Sequence, residues 1–301
     1  IVDDNLIGTR TDHIERAKNL FRAMIDAKIG KKWIAQTTIN MADDEELMRL
    51  ARKAGCRGVF IGFETVSEDG LEEIGKKYNA RNHRNFRESV RRLQRNGILV
   101  VGSFIMGLDT DRKGIGKRIL AAAREYGVDM MNVLLITPLP GTVLWKNMQE
   151  AGRFVKNTFP DDWEYFTLTN PVIRFRNLSS REILSELETC EKGFYAYRRI
   201  LSRFLRSVWN RCSPLISLIG NLSFRRNCQV GWKRVRVAFD RDVPACDAPG
   251  ETARPEDAGW IEQAIARFNE AVAAAADPLS KLKAGIMELY DNFTEDSDWL
   301  S

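Results

Sequence analysis

Apolar runs alternate with amphipathic segments along roughly the first half of the chain. The runs at 33–38 (WIAQTT), 58–65 (GVFIGFET), 98–107 (ILVVGSFIMG) and 130–141 (MMNVLLITPLPG) predict buried strands. Between them, apolar residues recur every three or four positions and a glycine ends most segments, as in helices with glycine at the C-terminal cap. Each strand–helix period spans about 30 residues, the size of a βαβ unit.

Strands that are apolar throughout are typical of parallel sheets covered by helices. Residues 1–4 (IVDD) resemble the end of a further strand, which brings the predicted total to five. Five strands are too few to close an eight-stranded barrel. We therefore predict an α/β fold, a partial (β/α) barrel of parallel strands truncated at the N-terminus, with an α-helical C-terminal extension. A doubly wound open sheet is the alternative that the sequence leaves open.

Capping residues predict where several helices begin. Asp12 and Glu15 have the spacing of a capping box, and Asp43 is placed to cap the helix that follows it. Ser179 and Glu182 have the same capping-box spacing ahead of an apolar stripe that includes Cys190. We therefore expect a helix from about 179 to 197, with Cys190 in the core.

Polar side chains collect at the predicted carboxyl ends of the strands, where parallel α/β folds bind ligands. Glu64 follows an apolar run, so its carboxylate is costly to bury unless a hydroxyl or ammonium group satisfies it. Ordinary polar turns and caps are the alternative explanation for each residue. The set predicts a ligand-binding rim and comprises Asp3, Asp4, Asn5, Gln36, Thr37, Thr38, Glu64, Thr65, Asp109, Asp111 and Thr137.

Two glycines, Gly102 and Gly107, flank SFIM in the third of these runs. Glycine within a strand indicates close approach of backbone or ligand, such as a flat adenine ring. A bulge or a packing requirement explains them equally well.

Charge divides the remaining sequence. The net charge is +5, yet residues 198–236 hold ten Arg or Lys and no acid, whereas 241–301 hold thirteen acids and five bases. We predict three regions: a barrel domain at 1–152, an extension at 153–240, and an acidic linker with a helical tail at 241–301.

Apolar and aromatic residues interleave with the arginines of 198–236. This pattern predicts either a helix packed on the barrel with solvated arginines, or peripheral contact with an anionic membrane. Nucleic acid is the alternative that it favours less. We expect a cytoplasmic protein, and any membrane contact would be with the cytoplasmic side of the inner membrane.

The five cysteines are scattered and form no CxxC or CxxxCxxC motif, which favours a reducing compartment and gives no metal site. His13 and His83 both lie where helices begin, and we expect them to be solvated rather than metal ligands.

The segments IVDDN, WIAQTT, AGCRGVFIGFET, GILVVGSFIMGLDTD and MNVLLITPLPGT, in this order and spacing, resemble radical SAM enzymes that follow a cobalamin-binding domain. That group includes Mg-protoporphyrin cyclase-like, hopanoid-modifying and methyltransferase-like members. The resemblance covers residues 1 to about 200. It implies a partial barrel that binds S-adenosylmethionine beside a [4Fe–4S] cluster, with cobalamin as a further cofactor. The CxxxCxxC cysteines that hold the cluster would precede residue 1, so we expect the present residues alone to be inactive.

The resemblance assigns roles to five positions near the first strands. Asp3, Asp4 and Asn5 match the motif that receives the methionine amino group. Glu64 matches a polar position near the ribose or the methionine, and Gln36 would face the substrate.

Five further positions are implied to lie near the adenine. Gly102, Met106 and Gly107 belong to the strand stretch that runs against the ring. Pro138 and Leu139 match a backbone contact to the same ring.

The implied function is methylation or another C–H functionalisation of a small-molecule or lipid substrate, with flavodoxin or ferredoxin as electron donor. A non-catalytic binding or scaffold module that kept the barrel and lost the cluster is the alternative. An ordinary barrel enzyme such as an aldolase would need a lysine or a metal triad at the strand ends, and the sequence offers neither. An in-frame CxxxCxxC upstream of residue 1 would favour the enzyme.

Overall fold

The computed structural model describes residues 5–8, 10–66, 85–158, 160–210, 212–239 and 241–246. These residues lie in one compact unit, Ile1–Glu251. The predicted strand end at 1–4, the position of His83 and the helical tail lie outside the described residues.

Four parallel strands form one sheet in the order β1-β2-β3-β4. The strands are β1 Trp33–Gln36, β2 Cys56–Glu64, β3 Leu99–Met106 and β4 Met130–Leu135. The first helices are α1 Thr11–Asp26, α2 Glu45–Lys53, α3 Phe86–Arg95, α4 Ile115–Tyr126 and α5 Val143–Glu150. The C-terminal part contains α6 Ser180–Phe194, α7 Tyr197–Trp209 and α8 Pro214–Ala238. The predicted α/β class with parallel strands and a helical C-terminal portion is confirmed.

Local signals placed some helix ends correctly and others not. Ser179 and Glu182 form the predicted capping box of α6. The prediction for α2 was wrong by one residue, because Asp43 ends a 3₁₀ turn and the Asp44 side chain accepts the Leu47 N–H instead (2.9 Å). The predicted capping box at Asp12 was also wrong, because this residue lies inside α1.

One face of the sheet packs against α3 and α4. Its side chains alternate along each strand and belong to the main core: Val59, Ile61, Phe63, Val100, Phe104, Met106, Met131, Val133 and Leu135. Phe63 lies at the centre of an aromatic cluster, with ring centroids 5.3 Å from Phe86, 5.6 Å from Phe104 and 5.1 Å from Tyr126. We refer to this side as the helix face.

The opposite side, here called the inner face, is covered over its lower half by α8 and the turn before it. The side chains of Leu99, Val101 and Met130 form a second apolar cluster there with Cys212, and Phe60, Ile216 and Phe224 pack against it. At the carboxyl end of β1, on the same face, Gln36 is exposed, and Glu64 at the end of β2 is half-buried. The rim where ligands are expected is therefore open at the β1 edge of the sheet.

Side chains join the extension to the free edge of β4. The Tyr195 hydroxyl donates to the carbonyl of Met131 (2.5 Å) and accepts from its N–H (2.9 Å). Leu135 N donates to the carbonyl of Leu168 (2.7 Å). These contacts satisfy edge groups that would otherwise invite pairing with another chain.

Asp129, at the start of β4, is buried and links three elements. Its carboxylate accepts from Gln94 Nε2 of α3 (3.0 Å), from Val100 N of β3 (2.9 Å) and from Arg206 Nη2 of α7 (3.3 Å). A buried carboxylate is tolerated when donors surround it in this way.

Candidate ligand site at the carboxyl ends of the strands

Residues 5–8 run beside the end of β1. Leu6 N donates to the Gln36 carbonyl (3.1 Å), and Thr38 Oγ1 donates to the Ile7 carbonyl (3.2 Å). Asn40 Nδ2 adds a bond to the carbonyl of Gly8 (3.2 Å). The structure therefore places Asn5 at the same rim as Gln36. The neighbouring predicted residues Asp3 and Asp4 lie outside the described residues.

Glu64 ends β2 in a left-handed backbone conformation, with φ of +68°. The register with β3 shifts between Gly62 and Glu64, so that Glu64 pairs with Phe104. The carboxylate folds back over Gly62, since a Cβ built there would collide with Oε1 of Glu64. A non-glycine residue with positive φ costs of order 1–3 kcal/mol and is concentrated at functional sites.

Two polar residues that were not predicted from the sequence, Ser103 and Asn132, lie side by side on the inner face, next to Gly62. We refer to them as the polar row. Gly62 pairs with Ser103, and Ser103 pairs with Asn132. Ser103 is buried and Asn132 is half-buried. Both residues lie within runs of apolar residues that predict strands. A polar residue inside such a run is the feature of the sequence that could have identified them.

Gly102 and Met106, predicted to contact adenine, point to the helix face instead of the rim. A Cβ on Gly102 would lie 3.0 Å from Val128 Cγ1 and 3.2 Å from the Phe63 ring, so close packing explains this glycine. Met106 is fully buried in the main core. Any contact between this stretch and a ligand on the inner face would therefore use backbone atoms.

The loop beyond β3 and the loop beyond β4 carry the remaining predicted residues. Gly107 has φ of +98° and a Cβ there would collide with the Phe175 ring. Pro138 is buried, and Leu139 is exposed with its carbonyl accepting from Thr142 N (3.1 Å).

Asp109 and Asp111, two of the polar residues that follow β3, order the loop. Asp109 forms a two-point ion pair with Arg153 (2.7 and 2.8 Å). Asp111 Oδ2 accepts from the N–H groups of Gly107 (2.8 Å) and Leu108 (3.0 Å). These contacts favour a structural role for both carboxylates.

The described residues contain no group of three or more His, Cys, Asp or Glu side chains that could hold a metal ion. Burial raises the pKa of the Cys56 thiol to about 12, and burial also raises the pKa of Cys190. Neutral thiols in the core are poor metal ligands. The prediction that Cys190 lies in the core is confirmed.

A second candidate site, which was not predicted from the sequence, is a cavity between α6, α8 and β4. It has a volume of about 230 Å³ and opens to solvent on one side. Glu191 of α6 lies in its wall and accepts from the indole Nε1 of Trp232 on α8 (2.6 Å). Burial raises the pKa of Glu191 to about 7, and the hydrogen bond from Trp232 opposes part of this shift.

The raised pKa predicts how stability depends on pH. A carboxyl with a higher pKa in the folded state binds a proton that the unfolded chain releases, so stability falls as pH rises from about 4.5 to about 7. The Glu191 contribution to this fall is on the order of 3 kcal/mol. Urea unfolding at several pH values should show a shallower fall for Glu191→Gln than for the unsubstituted chain. Identical slopes would contradict the assignment.

The chain resembles proteins of one family. The Radical SAM superfamily matches residues 6–114, the range that includes β1, β2, β3 and the rim residues Gln36 and Glu64. This confirms the family resemblance noted from the sequence motifs. The rim residues Gln36 and Glu64 lie within the matched range, whereas Asn5, Pro138 and Leu139 lie outside it.

Two relatives and one solved structure illustrate the similarity. A hopanoid C-2 methylase of Rhodopseudomonas palustris (strain TIE-1) is 30% identical over 154 residues, 51% of this chain and 29% of that protein. An anaerobic magnesium-protoporphyrin IX monomethyl ester cyclase of Rubrivivax gelatinosus is 25% identical over 192 residues, 64% of this chain and 33% of that protein. The radical S-adenosylmethionine methyltransferase TsrM from Kitasatospora setae, solved with cobalamin and a [4Fe–4S] cluster, aligns with a TM-score of 0.40 at 19% identity, over 48% of this chain and 28% of that one.

The chain spans between 28% and 43% of the length of the curated relatives that it matches.

Proposed function

We propose that this chain is part of a radical SAM enzyme whose open rim binds S-adenosylmethionine for methylation or another C–H functionalisation. The observation that carries the proposal is the Glu64 carboxylate, held over Gly62 in a left-handed backbone conformation at the open end of the inner face. Its place within the matched range 6–114 supports a role in the chemistry of the superfamily.

The rim residues fit the polar half of this cofactor. Glu64 would accept hydrogen bonds from the ribose hydroxyls or from the methionine ammonium group, and Asn5 with Asp3 and Asp4 would bind that ammonium group. Hydrogen bonds to a charged group contribute about 1.5–3 kcal/mol each. Gln36, which is exposed, would face the substrate.

The adenine would contact backbone rather than side chains. The chain leaves β4 through Pro138 and Leu139, and a stiff segment of this kind suits a flat ring. Gly102 within β3 and Gly107 just after it would contribute through their peptide groups, because packing against Phe63 and Phe175 explains why both positions lack a side chain.

When bound next to a reduced [4Fe–4S] cluster, S-adenosylmethionine supplies a 5′-deoxyadenosyl radical for hydrogen abstraction. The cluster does not fit the residues that the structure describes, so we propose that its ligands come from outside these 301 residues. The role proposed for this chain is to bind and orient S-adenosylmethionine and to exclude water from it. Flavodoxin or ferredoxin as electron donor, and cobalamin as second cofactor, remain part of the proposal.

The substrate proposed is a small molecule with a large apolar part, or a lipid. The names of the relatives, a hopanoid methylase and a magnesium-protoporphyrin ester cyclase, support this class.

Contact with an anionic membrane surface is supported by one face of α7. Tyr197, Leu201, Leu205, Val208 and Trp209 repeat at helical spacing and are exposed, Trp209 at 88%. The buried residues of the same helix are on its other side, and no acidic residue occurs from 198 to 239. Such a combination suits the interface of an anionic bilayer. None of the described helices is long and apolar enough to cross a membrane.

Vesicle sedimentation tests this contact. The chain is expected to sediment with phosphatidylglycerol vesicles and not with phosphatidylcholine vesicles. Leu205→Ser combined with Trp209→Ser should reduce the bound fraction at least about fivefold, because the bilayer would no longer bury these two exposed apolar side chains. Val143→Ser, an exposed apolar site on α5, serves as the matched control. Binding that does not depend on lipid charge or on the α7 residues would contradict the proposal.

The alternative, a non-catalytic module, is tested by supplying the cluster. The reading frame extended upstream to an in-frame CxxxCxxC is reconstituted anaerobically with iron and sulfide, reduced, and assayed for 5′-deoxyadenosine. Release that is lost in Glu64→Gln supports the enzyme. Absence of release from a fully loaded protein, or absence of an upstream motif, favours the module.

A further inference from the structure

The cavity between α6 and α8 is lined mainly by apolar groups, with one polar side. Leu184 and Leu187 of α6 face Phe224 and Val235 of α8 across it. Its volume of about 230 Å³ exceeds that of an engineered protein cavity of about 150 Å³ that binds benzene. One aromatic ring with a short side chain therefore fits.

The polar side of the cavity is formed by the carboxylate of Glu191. No Lys or Arg among the described residues forms an ion pair with it. Its contacts are the indole N–H of Trp232 and the thiol of Cys228. The cations nearby are already committed, since Lys192 (2.7 Å) and Arg236 both pair with Glu188. Burying an unpaired carboxylate is costly, and a bound cation would remove that cost.

We propose that this cavity is a binding site for a small organic cation, an aromatic or aliphatic body carrying a primary ammonium group that pairs with Glu191. The apolar walls would hold the body of the ligand. The side-chain amides of Asn132 and Asn227, which also line the cavity, offer oxygen acceptors for the remaining ammonium hydrogens. The site shares Asn132 with the polar row described above, while Glu191 and the other lining residues used here lie outside the proposed S-adenosylmethionine rim.

Gly231 explains how the space is kept free. It lies in the C-terminal third of α8 and lines the cavity, and a Cβ added there would meet no atom within 4 Å. A glycine inside a helix costs roughly 0.5–1 kcal/mol relative to alanine. Because Gly231 lines the cavity and its Cβ position is unobstructed, a large side chain there is expected to occupy part of this space.

The charged groups around the carboxylate also set the pH dependence of binding. Glu188 and Arg236 line the cavity as an ion pair, and burial keeps the Cys228 thiol neutral by raising its pKa. Glu191 is thus the titrating member between pH 6 and 8. Affinity for an alkylammonium ion should rise over this range, because the ion competes with the proton for the carboxylate.

Calorimetric titration of the 301-residue chain with phenethylammonium chloride tests the site, with the neutral 2-phenylethanol as matched ligand. We expect the cation to bind at least about tenfold more tightly than the alcohol at pH 7.5, and this preference to vanish in Glu191→Gln. Gly231→Leu should abolish binding of both ligands. Gln229→Leu, an exposed position on the same helix, should leave binding unchanged.

Equal affinity for the two ligands, a preference that survives Glu191→Gln, or binding unaffected by Gly231→Leu would each overturn the proposal. No heat of binding up to 10 mM ligand would overturn it as well. Circular dichroism and thermal unfolding show whether each variant is folded. Glu191→Gln is expected to unfold at an equal or higher temperature near pH 7, because it removes a buried charge.

Discussion

Phe63→Ala is expected to lower the free energy of unfolding by about 3–5 kcal/mol, because it removes a large side chain from a closely packed core. Phe63 is 2% exposed and contacts three aromatic rings, from α3, β3 and the end of α4. The surrounding rings belong to different elements, so the space cannot close by a single side-chain rotation. Equilibrium unfolding in urea measures the loss.

Gly102 provides the internal control for this prediction. Gly102→Ala alone should destabilise the fold, because the new methyl group meets Val128 at 3.0 Å and Phe63 at 3.2 Å. In the Phe63→Ala background the same change should cost less, since part of the obstruction is gone. Strictly additive effects would show that the two positions do not share space, and adenine contact would again be the better explanation for Gly102.

Asp129→Ala is expected to cost a similar amount, about 3–5 kcal/mol, through lost hydrogen bonds rather than lost volume. The substitution leaves Gln94 Nε2 and Val100 N without their acceptor in the buried region between α3, β3 and β4. It also releases Arg206, which ties α7 to this point.

Asp129→Asn separates charge from hydrogen bonding. The remaining oxygen can still accept from Gln94 and Val100, whereas the amide nitrogen faces Arg206, so a loss of about 1–2 kcal/mol is expected. Asp26→Ala, at the exposed end of α1, should change stability by less than about 0.5 kcal/mol. If Asp129→Ala behaved like Asp26→Ala, the network would not contribute to folding.

Local signals in the sequence were sufficient for several helix C-termini, but not for every N-terminus. Gly55, Gly97 and Gly127 follow amphipathic segments and all have positive φ, as C-terminal glycines do. The Asp43 error arose because a 3₁₀ turn lies between β1 and α2 and moves the cap by one residue. The predicted strand at 130–141 ends at Leu135, because Pro138 and Pro140 lack the N–H groups that a strand needs.

The site was predicted only as far as it depends on position along a strand. Gln36 and Glu64 come at strand ends, and the order of parallel strands brings them to one rim. Ser103 and Asn132 were missed because which face a strand residue occupies depends on register, and register is a tertiary property. Glu191 resembles a solvated helix residue until α8 covers it.

Glu64, positioned by Gly62, is the residue that we propose binds S-adenosylmethionine at the open rim. Equilibrium dialysis with labelled S-adenosylmethionine should detect saturable binding that weakens at least about tenfold in Glu64→Gln and in Gly62→Ala, the loss of one charged hydrogen bond. Gly58→Ala is the matched control, because its Cβ would lie on the same face of β2 at ordinary contact distances of 3.4–3.7 Å. It should bind as tightly as the unsubstituted chain. Binding that is absent, or that is equal in all four proteins, would contradict the assignment of this rim.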